Sequence, residues 1–342
     1  MSVNAPPATA TPYLDLHHGV DGVEGPPLDH AITDRRAWTR ETLSASDWTV
    51  PIAAAVAEIR ELAAALARDP LPTLLITPDQ FRLDACRAVM SRAKSLLTDG
   101  IGVTLVDRLP LDELGRDQAV ATYWVLSQFL GTLVAQKWDG TMIYDVHDTG
   151  RAFGYGVRGS WTNIELTFHT DNAFAVAPPD YVGLLCLQAA RRGGLSRFIS
   201  LYAVHNRMLA RHPAALARLY QPMFMDRQAE HAPGAPKVSW VPMFRWDGRR
   251  LRARLSAGLV RKGYALMEAA PPADVQDALA ALTEILDDPA LTIEFTIARG
   301  QIQLLNNREF GHYRSAFEDD SAAPRHLVRL WVRERGRRSY DG

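Results

Sequence analysis

With 342 residues, 47% hydrophobic and 23% charged, the chain has the composition of a globular protein, which excludes intrinsic disorder as its overall state. Its 38 Lys and Arg against 39 Asp and Glu leave a net charge of -1, which excludes the basic footprint of a nucleic-acid binder and points to a small-molecule partner. No apolar stretch reaches the roughly 20 residues of a membrane span, and Met1 to Pro12, rich in Ala, Pro and Thr, lack the basic start and apolar run of a secretory signal.

A cytoplasmic location follows, with Cys86 and Cys186 as buried, reduced thiols. We expect a disordered tail over 1–14 and one domain over 15–342. Its helical N-terminal part spans about 30–140, and a β-rich core spans about 141–335 with an insertion at about 202–290. Ile52, Val56, Ile59, Leu62 and Leu66 recur at helical spacing behind Pro51, which suits a first-turn position. Helical patterns follow over 79–97 and 111–133, the second with Arg116 and Asp117 outward, and an apolar run at 101–106 between them reads as a strand. This third is expected to lie outside a sheet. Gly154, Gly156 and Gly159 then mark an irregular loop, after which Ile164, Leu166 and Phe168 alternate with Glu165 and Thr167 as a strand.

Further strands are predicted at 181–189, 196–200, 238–246, 251–255, 291–297, 302–305 and 327–332, with Asp247-Gly248 as a hairpin turn. Helical insertions at 203–219 and 274–286 separate them. The fold class expected is therefore mainly β with helices (α+β), an antiparallel barrel or sandwich with helices around it.

The chemistry concentrates at His169-Thr170-Asp171, which directly follows the alternating strand, so that both side chains point to one side of the sheet. Alone the tripeptide says little, since about one His-x-Asp arises by chance in a chain of this composition. His312, just ahead of another strand, adds a third ligand that a barrel brings back. Two imidazoles and a carboxylate on one face of iron leave three adjacent positions open, two for chelation by a 2-oxo acid and one for dioxygen.

Thirteen residues after His312, Arg325 opens an apolar strand in which Arg325, Leu327 and Arg329 share a face. An arginine fork matches a carboxylate bidentately, so Arg325 suits the remote carboxylate of 2-oxoglutarate, with Ser196 after Gly193-Gly194 as a hydroxyl donor. Without the metal triad, these arginines read as a solvated edge-strand face.

Together, Phe168-His169-Thr170-Asp171, Gly193-Gly194-Leu195-Ser196, Asn306-Asn307-Arg308 and the strand from Arg325 to Arg329 resemble the taurine dioxygenase and clavaminate synthase-like superfamily of iron(II)/2-oxoglutarate oxygenases, over about 164–333. The resemblance implies a double-stranded β-helix, or jelly roll. It also implies iron(II) on His169, Asp171 and His312, 2-oxoglutarate anchored by Arg325, dioxygen as oxidant, and succinate and carbon dioxide as products. Ser196 stands where the family more often has Thr, and Asn306 where it commonly has Asp. Asp171 argues against halogenation, because related halogenases lack that carboxylate.

Candidate substrate residues are Trp161, Asn163, Glu165 and Arg314, and both Arg314 and Arg329 serve either an anionic group of the substrate or the oxo acid. Hydroxylation of an amino acid or natural-product intermediate is expected, with desaturation or cyclisation, or a sulfonate substrate, as alternatives. A non-catalytic metal-dependent sensing module and a zinc hydrolase are the competing classes, and the latter leaves Arg325 and Ser196 without a purpose. Oligomeric state is left open.

Overall fold

The computed structural model describes residues 11–17, 26–154 and 157–342. Most of the expected tail, and Gly156 of the glycine loop, lie outside them. Leu14 does not behave as tail, because it pairs in parallel with Ser239.

Two sheets carry the architecture. The larger runs in the order Thr49–Pro51, Val103–Asp107, Ile302–Asn306, Tyr181–Gln188, His326–Arg333, Thr132–Val134, with Tyr144–Val146 also on the His326–Arg333 strand. The smaller runs Thr292–Phe295, Ser196–Ser200, Phe310–Arg314, Leu166–His169. Period-two alternation assigns each face. Val328, Leu330 and Val332 face outward onto the helices Val56–Arg68, Asp84–Thr98 and Arg116–Gln128, while Leu327 and Cys186 join Phe198, Ile199 and Phe310 of the smaller sheet in the second core. Tyr181–Gln188 is apolar almost throughout because both of its faces are covered. Gly183 lets Tyr123 approach that strand, since a Cβ there would lie 2.3 Å from the tyrosine hydroxyl.

The N-terminal third contributes more β structure than its helical periodicity foretells. Pro51 ends an edge strand, Thr49–Pro51, rather than opening a helix, and its missing N–H is tolerated there. The helix begins at Val56, and Ile59, Leu62 and Leu66 are buried on one face as expected. The next helix starts at Asp84 rather than 79, where the Glu58 carboxylate accepts from the N–H groups of Ala85 and Cys86 at 2.8 and 2.9 Å. The third spans Arg116–Gln128 and gives way to the strand Thr132–Val134. These short strands take their place from their sheet partners, so the third is partly inside the large sheet.

The insertion holds the helices Leu201–Arg211 and Pro213–Leu219, which were expected as one and are split where Pro213 disfavours helical backbone at His212. It also holds the unexpected strand Pro222–Asp226 and helix Ala257–Leu266, besides the expected helix Ala273–Leu286. The hairpin forms as its turn residues require: Phe244–Trp246 pairs with Leu251–Ala253, and Gly248 sits at φ 85°. Cys86 and Cys186 are both buried and unpaired. Among the described residues, no helix is long and apolar enough to cross a membrane.

Candidate active site

His169 ends the strand Leu166–His169 and lies directly opposite His312 of Phe310–Arg314. Their ring centroids are 4.2 Å apart, and each Nε2 lies 3.5 Å from Oδ1 of Asp171. These three side chains form the one group of metal-ligating type found among the described residues, with donor atoms within 4.8 Å of one another. Asp171 is past the strand end, so strand alternation does not aim it. Asn307, fully buried, does: its Oδ1 accepts the Asp171 N–H at 2.7 Å, and its Nδ2 donates to the Asp171 carbonyl at 2.9 Å and that of Pro179 at 3.1 Å.

The carboxylate is divided between two tasks. Oδ1 faces the imidazoles, while Oδ2 accepts from Trp331 Nε1 at 2.8 Å and is paired with Arg329 Nη1 at 3.0 Å. Burial alone would raise this carboxyl, but Arg329, His169 and His312 outweigh it and hold it well below the usual carboxylate range. Burial, then the adjacent His169, push His312 down against the pull of Asp171, which favours the neutral ligand form. On His169, Nδ1 lies 2.8 Å from the Thr167 carbonyl; the tautomer that donates there leaves the Nε2 lone pair free toward the cluster.

Arg325 is 3% exposed, and its guanidinium sits 4.9 Å from the centroid of Phe317. Burial pushes it down to about 10, opposed by Cys186 and Asp319; Arg314, also buried, is pushed down to about 9 by burial and by Arg325. Both keep their charge at neutral pH, so the shifts express the cost of burying two cations.

Beside His169 and Asp171 opens a cavity of about 380 Å³. Its wall includes Arg329, Trp331, Asn172, Ser160, Glu165 and Lys262, and the part-buried ion pair Arg158 and Glu230. Tyr340 Oη donates to this cluster, 3.4 Å from both Glu230 Oε2 and Asn172 Oδ1.

Residues 70–331, well over half of the chain, match the model of the family described as "Taurine catabolism dioxygenase TauD, TfdA family". The chain belongs to this family. It is accordingly a TauD/TfdA-family dioxygenase, an enzyme of the iron(II)/2-oxoglutarate-dependent kind. FR-33289 synthase of Streptomyces rubellomurinus (strain ATCC 31215) is 27% identical over 320 residues, 91% of this chain and 93% of that protein. Uridine-5'-phosphate dioxygenase of an Amycolatopsis species is 28% identical over 158 residues, 46% and 56% of the two chains. The fold matches an asparagine oxygenase in complex with Fe(II), 2S,3S-3-hydroxyasparagine and succinate, at TM-score 0.62, 21% identity and coverage of 84% of this chain and 94% of that one. It matches the non-heme iron oxygenase OrfP in complex with Fe and alpha-ketoglutaric acid, also at TM-score 0.62, with 18% identity and the same coverage.

In this TauD/TfdA-family dioxygenase the residues singled out from sequence fall into three places. His169, Asp171, His312 and Arg329 meet at the cluster, and Glu165 lines its cavity. Ser196, Arg314 and Arg325 form a separate buried group: Ser196 pairs with Arg314 across neighbouring strands and donates to Gln303 Oε1 at 2.7 Å. A bulge between His326 and Leu327 interrupts the alternation that would relate Arg325 to Arg329, and Arg329 instead turns to Asp171 and Gln136. Trp161 and Asn163 are not in the cavity wall. Trp161 packs against the core with its carbonyl bonded to Thr149, and Asn163 is exposed and accepts the Phe317 N–H at 3.1 Å. Sequence reasoning missed Trp331, Asn307, Arg158 and Glu230. Trp331 was in reach, since it shares strand parity with Arg329; Arg158 and Glu230 meet only through tertiary structure.

Proposed function

We propose that this protein is an iron(II)/2-oxoglutarate-dependent hydroxylase that oxidises a C–H bond of a small polar metabolite, an amino acid or a natural-product intermediate. The observation that carries the reading is the convergence of His169, His312 and Asp171 Oδ1 beside a cavity whose mixed wall carries charged and hydroxyl side chains. The donor set, two imidazoles and a carboxylate, fits iron(II), and the unpartnered buried Nη1 of Arg325 fits the far carboxylate of the oxo acid, with Ser196 beside it. With iron and 2-oxoglutarate bound and dioxygen present, the group supplies the oxidant, and succinate and carbon dioxide leave.

The chain's own residues do the rest. Trp331 and Arg329 occupy Oδ2 so that Oδ1 is presented to the metal, and Asn307 fixes the backbone that carries it. Glu165, Ser160 and the Arg158 and Glu230 pair offer the cavity's charged and hydroxyl groups to a polar substrate. Asparagine oxygenase among the neighbours and uridine-5'-phosphate dioxygenase among the relatives support a small polar substrate. Taurine hydroxylase-like protein SAT17 of Stachybotrys chartarum, 24% identical over 333 residues, keeps a sulfonate as the alternative. We further assign the two sheets to a jelly-roll core within one domain over 15–342, and the enzyme to the cytoplasm, in keeping with its unpaired cysteines.

Anaerobic addition of iron(II) and 2-oxoglutarate is expected to produce a visible charge-transfer band, and admission of air to yield succinate. Folded, iron-loaded protein without the band overturns the reading; a band without succinate under any metabolite leaves only the sensing module. A screen of amino acids, sulfonates and natural-product precursors for gain of one oxygen then identifies the substrate.

A further inference from the structure

Arg314 and Arg325 are 7% and 3% exposed, and each guanidinium carbon lies 4.9 Å from the centroid of one ring, Phe317. Among the described residues neither forms a side-chain ion pair. Nη2 of Arg314 donates to the carbonyls of Thr162 and Ile164, but its Nε and Nη1, like Nη1 of Arg325, are buried without a partner. Buried cations are normally paired, because leaving them unneutralised in a medium of low polarity is costly. Two of them sharing a ring, with three unused donors, describe a site for an anion.

The surroundings favour a carboxylate held by both. Gly194 gives the site room, since a Cβ there would lie 3.2 Å from Arg325 Nε. The Ser196 hydroxyl is opposite Arg314 but donates to Gln303, so the unused donors are the guanidinium N–H groups. Resting on the reading of 2-oxoglutarate as co-substrate and Arg325 as its anchor, we propose that Arg314 is a second binding residue for the distal carboxylate. It shares that carboxylate with Arg325 and makes it a requirement for oxo-acid binding. Arg314 then serves the co-substrate rather than the substrate, and the enzyme discriminates strongly against 2-oxo acids of equal length that end in a methyl group.

The test compares 2-oxoglutarate with 2-oxopentanoate, which lacks the distal carboxylate, by anaerobic titration of the iron(II)-loaded full chain followed through its charge-transfer band. Arg314→Met is expected to weaken 2-oxoglutarate binding by about tenfold or more, the size of a lost charge-assisted hydrogen bond. The same variant should leave 2-oxopentanoate and iron(II) binding within about twofold, whereas a role confined to holding the Thr162 and Ile164 carbonyls would weaken both oxo acids alike. Equal losses, or unchanged 2-oxoglutarate binding, overturn the proposal. If the Met variant does not fold, Arg314→Lys keeps the charge without the fork, and its selective loss for 2-oxoglutarate or lack of it decides in the same way. A wild-type protein that binds neither oxo acid would instead refute the co-substrate reading itself.

Discussion

Trp331→Phe tests whether the outer contacts of Asp171 set metal affinity. The substitution removes a single donor, the indole N–H at 2.8 Å from Oδ2, and keeps an aromatic ring in a position that is 4% exposed. Because indole carries no net charge, the formal charge around the metal site is unchanged, and any loss reports the hydrogen bond that holds the carboxylate. A hydrogen bond to a charged group contributes about 1.5–3 kcal/mol. Arg329 stays at 3.0 Å from the same oxygen, so the low end applies, equivalent to roughly a tenfold weaker dissociation constant for iron(II). Anaerobic titration with iron(II), or with cobalt(II) read by its absorption, measures it directly. A variant with wild-type thermal stability and undiminished iron affinity would refute the argument that Oδ2 must be held for Oδ1 to ligate.

Asn307→Ala removes three hydrogen bonds at a fully buried residue, and is expected to cost about 1–3 kcal/mol in denaturant unfolding and to weaken iron binding as Asp171 is freed. Glu230→Ala leaves the part-buried Arg158 without its carboxylate but with its bond to the Gln136 carbonyl, a loss of about 1–3 kcal/mol by the same measurement; a loss below about 0.5 kcal/mol would show that water replaces the pair. Acid should destabilise the metal-free protein in two stages. His312 is depressed, so its contribution is complete above the unfolded imidazole value of about 6.5 and lost as pH falls below it; Asp171, also depressed, contributes fully above about pH 4 and loses that contribution at lower pH. Unfolding free energies that stay flat between about pH 7 and 5 would contradict the first stage.

The residues whose chemistry is local were legible in the sequence. His169, Asp171 and His312 follow from ligand type, and Ser196–Ser200 is found with its predicted bounds behind Gly193 and Gly194, both at positive φ. What escaped depends on contacts distant in sequence. Thr49–Pro51 and Thr132–Val134 are three-residue strands with no periodicity of their own, held by Val103–Asp107 and by His326–Arg333. Asp171 looked like a strand residue, yet Asn307, 136 positions away, is what aims it. That Arg314 and Arg325 both lie against the ring of Phe317 was not readable, because nothing local relates the two strands. The bulge after His326 hid the separation of Arg325 from Arg329, since alternation assumes an unbroken ladder.

The facing positions of His169 and His312 give the bound ion a part in assembly. A one-residue slip of either strand would turn its imidazole to the opposite side of the pleat. Only the native alignment then offers both nitrogens at once, so iron would select that pairing from misaligned alternatives and act as a fastener between segments that meet late along the chain.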